Sequence, residues 1–229
     1  MLNMHDGLFI TFEGIDGTGK STQLSRAVRY IRKCGHPVFV TREPGGTRTG
    51  ERIREILLAS KTRKLAPLAE LALMYAARAQ LLEEHVRPAL ARGDVVVSDR
   101  FNTASFAYQG YGRELGIDAV RAFDEVICGR TQPDLTIILD LDPEIAMGRT
   151  LGRGTRKRSR LDRIEAQGLA FHRRVRAGYL AIANGTPNRI KLVSADQSIE
   201  AIQTEIRTLI EPLLIGRVRR TNSSKRRPR

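Results

Sequence analysis

The residues Gly14-Ile15-Asp16-Gly17-Thr18-Gly19-Lys20-Ser21 have the spacing G-x-x-x-x-G-K-[ST]. Glycines at these points let backbone N–H groups turn inward around phosphate oxygens, and a helix opening at Ser21 adds the positive end of its dipole. In such a loop the lysine, here Lys20, reaches the β- and γ-phosphates, and the Ser21 hydroxyl ligates Mg²⁺. Gly14 to Ser21 are therefore expected to form a nucleoside triphosphate site. The N-K-x-D stretch that reads guanine in GTPases does not occur. His5, His36, His85 and His172 share no spacing, and no Cys/His set has the pattern of a zinc site. Nothing points to a covalent nucleophile.

Open α/β sheets bind ligands at the carboxyl ends of their strands, and polar clusters follow two further apolar runs. One is Thr41-Arg42-Glu43-Pro44-Gly45-Gly46-Thr47; the other is Ser98-Asp99-Arg100-Phe101, followed by Ala104-Ser105-Phe106-Ala107-Tyr108-Gln109-Gly110. Tyr75-Ala76-Ala77-Arg78 sets an arginine among small and apolar neighbours. Basic residues crowd Arg149 to Arg163, which ends in Leu161-Asp162-Arg163-Ile164-Glu165.

The elements that must hold these residues alternate. Apolar runs at Leu8–Phe12, Pro37–Thr41, Val95–Ser98, Leu135–Asp140 and Ile190–Val193 predict five strands buried on both faces. Helices are predicted over Ser21–Cys34, Gly50–Ala59, Pro67–Arg92, Asp118–Arg130, Pro143–Leu151, Arg163–Asn184 and Ser198–Leu214, with Pro88 kinking or splitting the third. This order predicts an α/β fold, a five-stranded parallel sheet flanked by helices. Residues 1–215 read as one domain, and residues 216–229 as a basic, disordered tail.

Taken in order, the P-loop, R-E-P-G-G-T, Y-A-A-R, D-R-x, A-Y-Q-G and L-D-R-I-E resemble the thymidylate kinases, bacterial branch, over about Phe9 to Asp196. The resemblance implies a P-loop kinase with a mobile basic lid at about 149–165, and transfer of the ATP γ-phosphoryl group to dTMP with Mg²⁺. It implies that Asp16 contacts the sugar 3′-hydroxyl, that Asp99 holds Mg²⁺ through water, and that Arg100 binds the acceptor phosphate. Arg42 would shape the acceptor pocket or form an ordinary ion pair. Arg78 would bond a thymine carbonyl, Ser105 and Gln109 would contact the base, and Tyr108 would lie beneath the sugar and disfavour a 2′-hydroxyl. Met74 stands where the family stacks a phenylalanine on thymine; a thioether can pack on an aromatic ring, so the base contact changes in kind.

In one branch of the family a P-loop arginine supplies charge to the transferring phosphoryl group. The corresponding residue here is Gly17, so the resemblance moves that charge to the lid. Arg153, before Gly154, aligns best with the lid arginine, with Arg156, Arg158 and Arg160 as alternatives. Arg149 would flank the adenine or phosphates of ATP; Ser194-Ala195-Asp196-Gln197, which opens the last helix, is accounted for by helix capping, although relatives place this loop near adenine.

The 229 residues include 39 basic and 25 acidic ones, giving a net charge of +14, and seven of those basic residues lie in the last 14. The tail can attract nucleic acid weakly and without sequence preference. No apolar run approaches the roughly 20 residues needed to cross a bilayer. The first residues lack a basic n-region, and only Cys34 and Cys128 are present, so a cytoplasmic setting is expected. Relatives are homodimers, which implies one here. Two rival readings stay open: a kinase for another nucleotide or a deoxynucleoside, motivated by Met74, and a nucleic-acid-binding ATPase or regulatory module, motivated by the tail.

Overall fold

The computed structural model describes residues 7–59, 65–154 and 162–224, of which 151–154 and 217–224 by backbone alone. Five strands, β1 (Leu8–Glu13), β2 (Val38–Arg42), β3 (Val95–Asp99), β4 (Leu135–Asp140) and β5 (Ile190–Ser194), form one sheet in the order β2-β3-β1-β4-β5. Every pairing is parallel. Because strand side chains alternate, Leu8, Ile10 and Phe12 face one layer and Phe9 the other. The first layer contains α1 (Lys20–Lys33), through Leu24, Val28 and Ile31, and α9 (Ile199–Ser224), through Ile202, Ile206 and Ile210. The second contains α3 (Pro67–Leu81), through Leu71 and Leu81, and α6 (Ile117–Ile127), through Val120. Full burial of side chains of this size contributes roughly 1.5–3 kcal/mol each.

The expected strands are present, with two differences. Four of them run one residue further than their apolar runs, taking Glu13, Arg42, Asp99 and Ser194 into the ladder. Parallel register pairs Phe12 with Asp99 and Asp99 with Arg42, so these polar ends are set along one edge of the sheet. The outer strands β2 and β5 are not buried on both faces: Val40 and Leu192 are exposed, as edge position dictates.

The helices also differ in detail. The expected helix over Pro67–Arg92 divides into α3, a π-helical turn at Leu82–Val86 and α4 (Arg87–Ala91). Pro88 has no N–H to donate, and the wider turn accommodates it: Arg87 N–H reaches back five residues to Leu82 O. The remaining helices are α2 (Arg48–Leu58), α5 (Asn102–Ser105), α7 (Pro143–Gly154) and α8 (Leu169–Gly185), with a second π-helical turn at Phe106–Gly112. Helix α8 starts at Leu169 and not at Arg163. Helix α9 runs past its expected end at Leu214, through Gly216, to Ser224. A single glycine costs a helix only about 1 kcal/mol, and the next proline, Pro228, lies beyond Ser224. Residues 225–229 lie outside the described residues.

Candidate active site

Strand β1 ends at Glu13, and the chain then turns through Gly14, Gly17 and Gly19 at φ of 128°, 94° and 86° into α1. These are left-handed values that favour glycine. A Cβ at Gly14 would stand 2.5 Å from Leu139 O, and one at Gly17 only 2.1 Å from Ala146 O. The loop is therefore pressed against β4 and α7, and no side chain fits at Gly17. Lys20 is buried and donates to Gly14 O at 2.9 Å, Ile15 O at 3.1 Å and Asp16 Oδ1 at 3.3 Å. Burial and the charge of Arg100 lower the pKa of its ammonium group.

Arg100 follows β3 in the left-handed region, at φ 70°. That conformation costs a non-glycine residue about 1–2 kcal/mol. Its N–H donates to Phe12 O at 2.9 Å, and Ser98 Oγ donates to its carbonyl at 2.6 Å. The guanidinium is thereby turned across β1: Nη1 donates to Gly14 O and Nη2 to Asp16 Oδ1, both at 2.8 Å. Burial opposes charge on Asp16, but Arg100 and Lys20 prevail and hold its carboxyl well below the usual range. Asp16 Oδ2 accepts no hydrogen bond among the described residues, and Asp16 lines the cavity described next.

That cavity, about 800 Å³, is lined by both the P-loop and the Arg78 cluster. Arg78 is 2% exposed; it donates from Nε to Glu43 Oε2 at 2.7 Å, and from Nη2 to Phe101 O at 3.1 Å and Ser105 Oγ at 3.0 Å. Its Nη1 is buried without a partner. Met74, one helical turn earlier, lines the same cavity, as do Tyr108 and Gln109. The Tyr108 hydroxyl also lacks a partner, while the ring packs edge-on to Phe171 and Tyr179. Ser105 serves first as a support for Arg78, and the Gln109 amide nitrogen donates to Glu70 at 2.8 Å. Arg42 lines the cavity but pairs with Glu51 at 2.9 Å on a half-exposed surface.

Asp99 Oδ1 is buried and unpartnered, and Asp99 and Ser21 line the cavity together. Two oxygen donors beside a phosphate loop suit a hard divalent cation that completes its shell with water and phosphate. Among the described residues no group of three or more His, Cys, Asp or Glu side chains forms a metal cage of its own. A second cavity of about 360 Å³ lies on the other side of the loop, lined by Gly17, Thr22, Arg149, Ala195 and Gln197. There Arg149 donates to Ala195 O at 3.1 Å and stands 3.6 Å from Asp196 Oδ1.

Arg153 lies on α7, but its side chain is outside the described set, and Arg156, Arg158 and Arg160 are outside the described residues altogether. Arg163, grouped by sequence with these basic residues, is committed elsewhere. It donates to Leu57 O at 2.9 Å and pairs with the buried Glu70 at 2.7 Å. Five site residues escaped the sequence reading. Glu13 accepts from Phe101 N at 2.8 Å and from Tyr179 OH at 2.8 Å, and burial pushes its carboxyl up to about 7. Its signal was an acid closing an apolar strand. Glu43 had none beyond its motif, and Glu70 was an acid inside an apolar helix. Arg54, which lines the cavity and donates to Pro44 O at 2.8 Å, and Tyr179 had no local signal.

The family model described as thymidylate kinase matches residues 12–206. A thymidylate kinase from Exiguobacterium sp. is 48% identical over 200 residues, covering 87% of this chain and 92% of its own. One from Pseudomonas putida is 45% identical over 208 residues, covering 91% and 97%. The crystal structure of thymidylate kinase from Ehrlichia chaffeensis has a TM-score of 0.72 at 28% identity, over 89% of this chain and 98% of that one. A match this long, carried on a P-loop sheet of this order, leaves one assignment: the chain belongs to the thymidylate kinase family, and so to the nucleoside monophosphate kinases.

Proposed function

We propose that this enzyme transfers the γ-phosphoryl group of ATP to the 5′-phosphate of dTMP, giving ADP and dTDP. The observation that carries the reading is one cavity lined by the P-loop at one side and by Arg78, with an unpartnered nitrogen, at the other. A plain ATPase needs no such second half.

Phosphoryl transfer asks a protein for position and positive charge more than for covalent chemistry. An oxygen of the dTMP phosphate attacks the γ-phosphorus in line as the bond to the β–γ bridging oxygen breaks. Backbone N–H groups from Gly17 to Ser21 cradle the donor phosphates, and Lys20 exchanges its loop carbonyls for the β- and γ-oxygens. Arg100 takes the acceptor phosphate, with Arg42 and Arg54 at the same wall. Asp16, kept ionised by Arg100 and Lys20, offers Oδ2 to the 3′-hydroxyl. Arg78 donates Nη1 to a thymine carbonyl, Met74 packs on the base and Tyr108 closes the floor under the sugar. Arg149 and the Ala195–Gln197 loop flank the ATP base. Ser21, and Asp99 through water, would hold Mg²⁺, whose charge offsets that of the phosphates. Gly17 leaves charge on the transferring group to the lid, where Arg153 is assigned.

We assign the protein to a reducing cytoplasm, since Cys34 and Cys128 are both free thiols; no helix of the described residues is long and apolar enough to cross a membrane. Exposed Ile56, Leu68 and Val126, on the neighbouring helices α2, α3 and α6, support a homodimer face there. Contact between the basic C-terminal residues and nucleic acid is a weak, salt-dependent accessory. Phosphorus NMR of a reaction mixture tests the chemistry directly. Equal growth of ADP and dTDP signals is expected, and inorganic phosphate released instead would contradict the transfer.

A further inference from the structure

We infer that Glu70 is a positioning residue for base selection, fixing the Gln109 amide so that its oxygen, and not its nitrogen, faces the nucleotide cavity. The inference rests on the dTMP reading above. Glu70 lies on α3 and is 1% exposed. Gln109 Nε2 donates to Glu70 Oε1 at 2.8 Å, and Arg113 Nε donates to the same oxygen at 3.2 Å. On the other oxygen, Nη2 atoms of Arg113 and Arg163 stand at 3.2 Å and 2.7 Å. Burial alone would raise the pKa of Glu70, but the bonds from Gln109 and Arg113 outweigh it and hold the carboxyl below its ordinary value. Arg163 is itself tied to Leu57 O and, through its N–H, to Leu58 O. The carboxylate is thus charged and fixed.

A charged carboxylate only accepts hydrogen bonds. The two ends of a glutamine amide are alike in shape and opposite in polarity, so the group behind the amide decides which end is shown in front. With Nε2 held by Glu70, Oε1 is the free end; it accepts no hydrogen bond among the described residues, and Gln109 lines the cavity. The unpartnered donor Nη1 of Arg78 belongs to the same wall, since Arg78 Nη2 bonds Ser105, one turn before Gln109. A donor beside an acceptor matches a carbonyl beside a ring N–H, the edge of thymine. Cytosine presents an amine beside a bare ring nitrogen, which inverts both polarities. Glu70 therefore sets base choice without touching the base.

The test is steady-state kinetics with dTMP and dCMP on wild type, Glu70→Gln, Gln109→Ala and the double variant. Wild type decides the dTMP reading by itself: no dTMP-dependent ADP formation would overturn that reading whatever Glu70 does. With wild type active, Glu70→Gln should raise the KM for dTMP roughly 10-fold with kcat within about threefold. The dTMP-to-dCMP ratio of kcat/KM should fall roughly 30-fold, as expected when a buried polar group no longer discriminates. Added to Gln109→Ala, the Glu70 change should move that ratio by less than about twofold, because it acts through Gln109. An unchanged ratio in Glu70→Gln, even with a lowered Tm, or full multiplication in the double variant, would overturn the inference. If Glu70→Gln does not fold, Glu70→Asp replaces it in the cycle with the same expectations, since it keeps the charge that Arg113 and Arg163 need while drawing back from Gln109.

Discussion

Arg100 Nη2 lies 2.8 Å from Asp16 Oδ1, so the arginine after β3 fixes the acid inside the P-loop. The two halves of the site, donor loop and acceptor wall, are thus joined by one charge-assisted bond. Arg100→Ala should lower kcat/KM for dTMP by roughly 10²–10³-fold, the range for losing one preorganised charge, with ATP affinity changed far less. Arg100→Lys should recover only a small part, because an ammonium cannot hold Gly14 O, Asp16 and a phosphate in one plane. Initial-rate kinetics in both substrates check this.

The buried pair of Arg78 and Glu43 carries a stability prediction. At 2% and 5% exposure and 2.7 Å apart, removal of one partner leaves an uncompensated buried charge. Glu43→Ala should destabilise the protein by about 3–5 kcal/mol and also raise the KM for dTMP by freeing Arg78 Nε. Urea unfolding followed by circular dichroism gives the first number, and dTMP kinetics the second.

Glu13 makes stability depend on pH. Its ordinary pKa of 4.5 rises to about 7 in the folded protein because of burial. Below about 4.5 both states hold the proton. Between 4.5 and 7 the folded protein keeps a proton that the unfolded chain has lost, so this contribution falls as pH rises and is gone above 7. The full span is on the order of 3 kcal/mol. Unfolding free energies of wild type and Glu13→Gln at pH 5 and pH 8 should differ in slope, with wild type losing more between them. Parallel slopes would refute the assignment.

Gly17 and the lid make a linked prediction. Gly17→Ala should impair ATP use and lower Tm, since its Cβ would meet Ala146 O at 2.1 Å in a left-handed backbone. Arg153→Ala should lower kcat by roughly 10³-fold, as for an arginine finger, with little change in ATP binding. Equal losses for Arg153, Arg156, Arg158 and Arg160 alanine variants would contradict a single lid arginine.

Much of this site was legible because chemistry and periodicity coincide in the sequence. The P-loop glycines lie between a buried strand and a helix, and Asp99 and Arg100 end an apolar run, so strand ends and polar residues locate each other. Arg78 was legible as a charge among small residues on an apolar helix. What stayed hidden depends on contacts across the sheet. Glu13 meets Tyr179 166 positions away, and Glu70 collects Gln109 and Arg113 from one distant segment and Arg163 from another. No local spacing encodes such meetings. The end of α9 was misplaced for another reason: basic residues without apolar periodicity can continue a helix that packing has already nucleated.

The most direct measurement is ADP formation from ATP and Mg²⁺ with dTMP, dUMP, dCMP, dGMP, UMP or thymidine, against a control without acceptor. A rate that depends on acceptor and is highest in kcat/KM for dTMP is predicted. Preference for another nucleotide, or ATP hydrolysis indifferent to any acceptor and raised by DNA, would contradict the account.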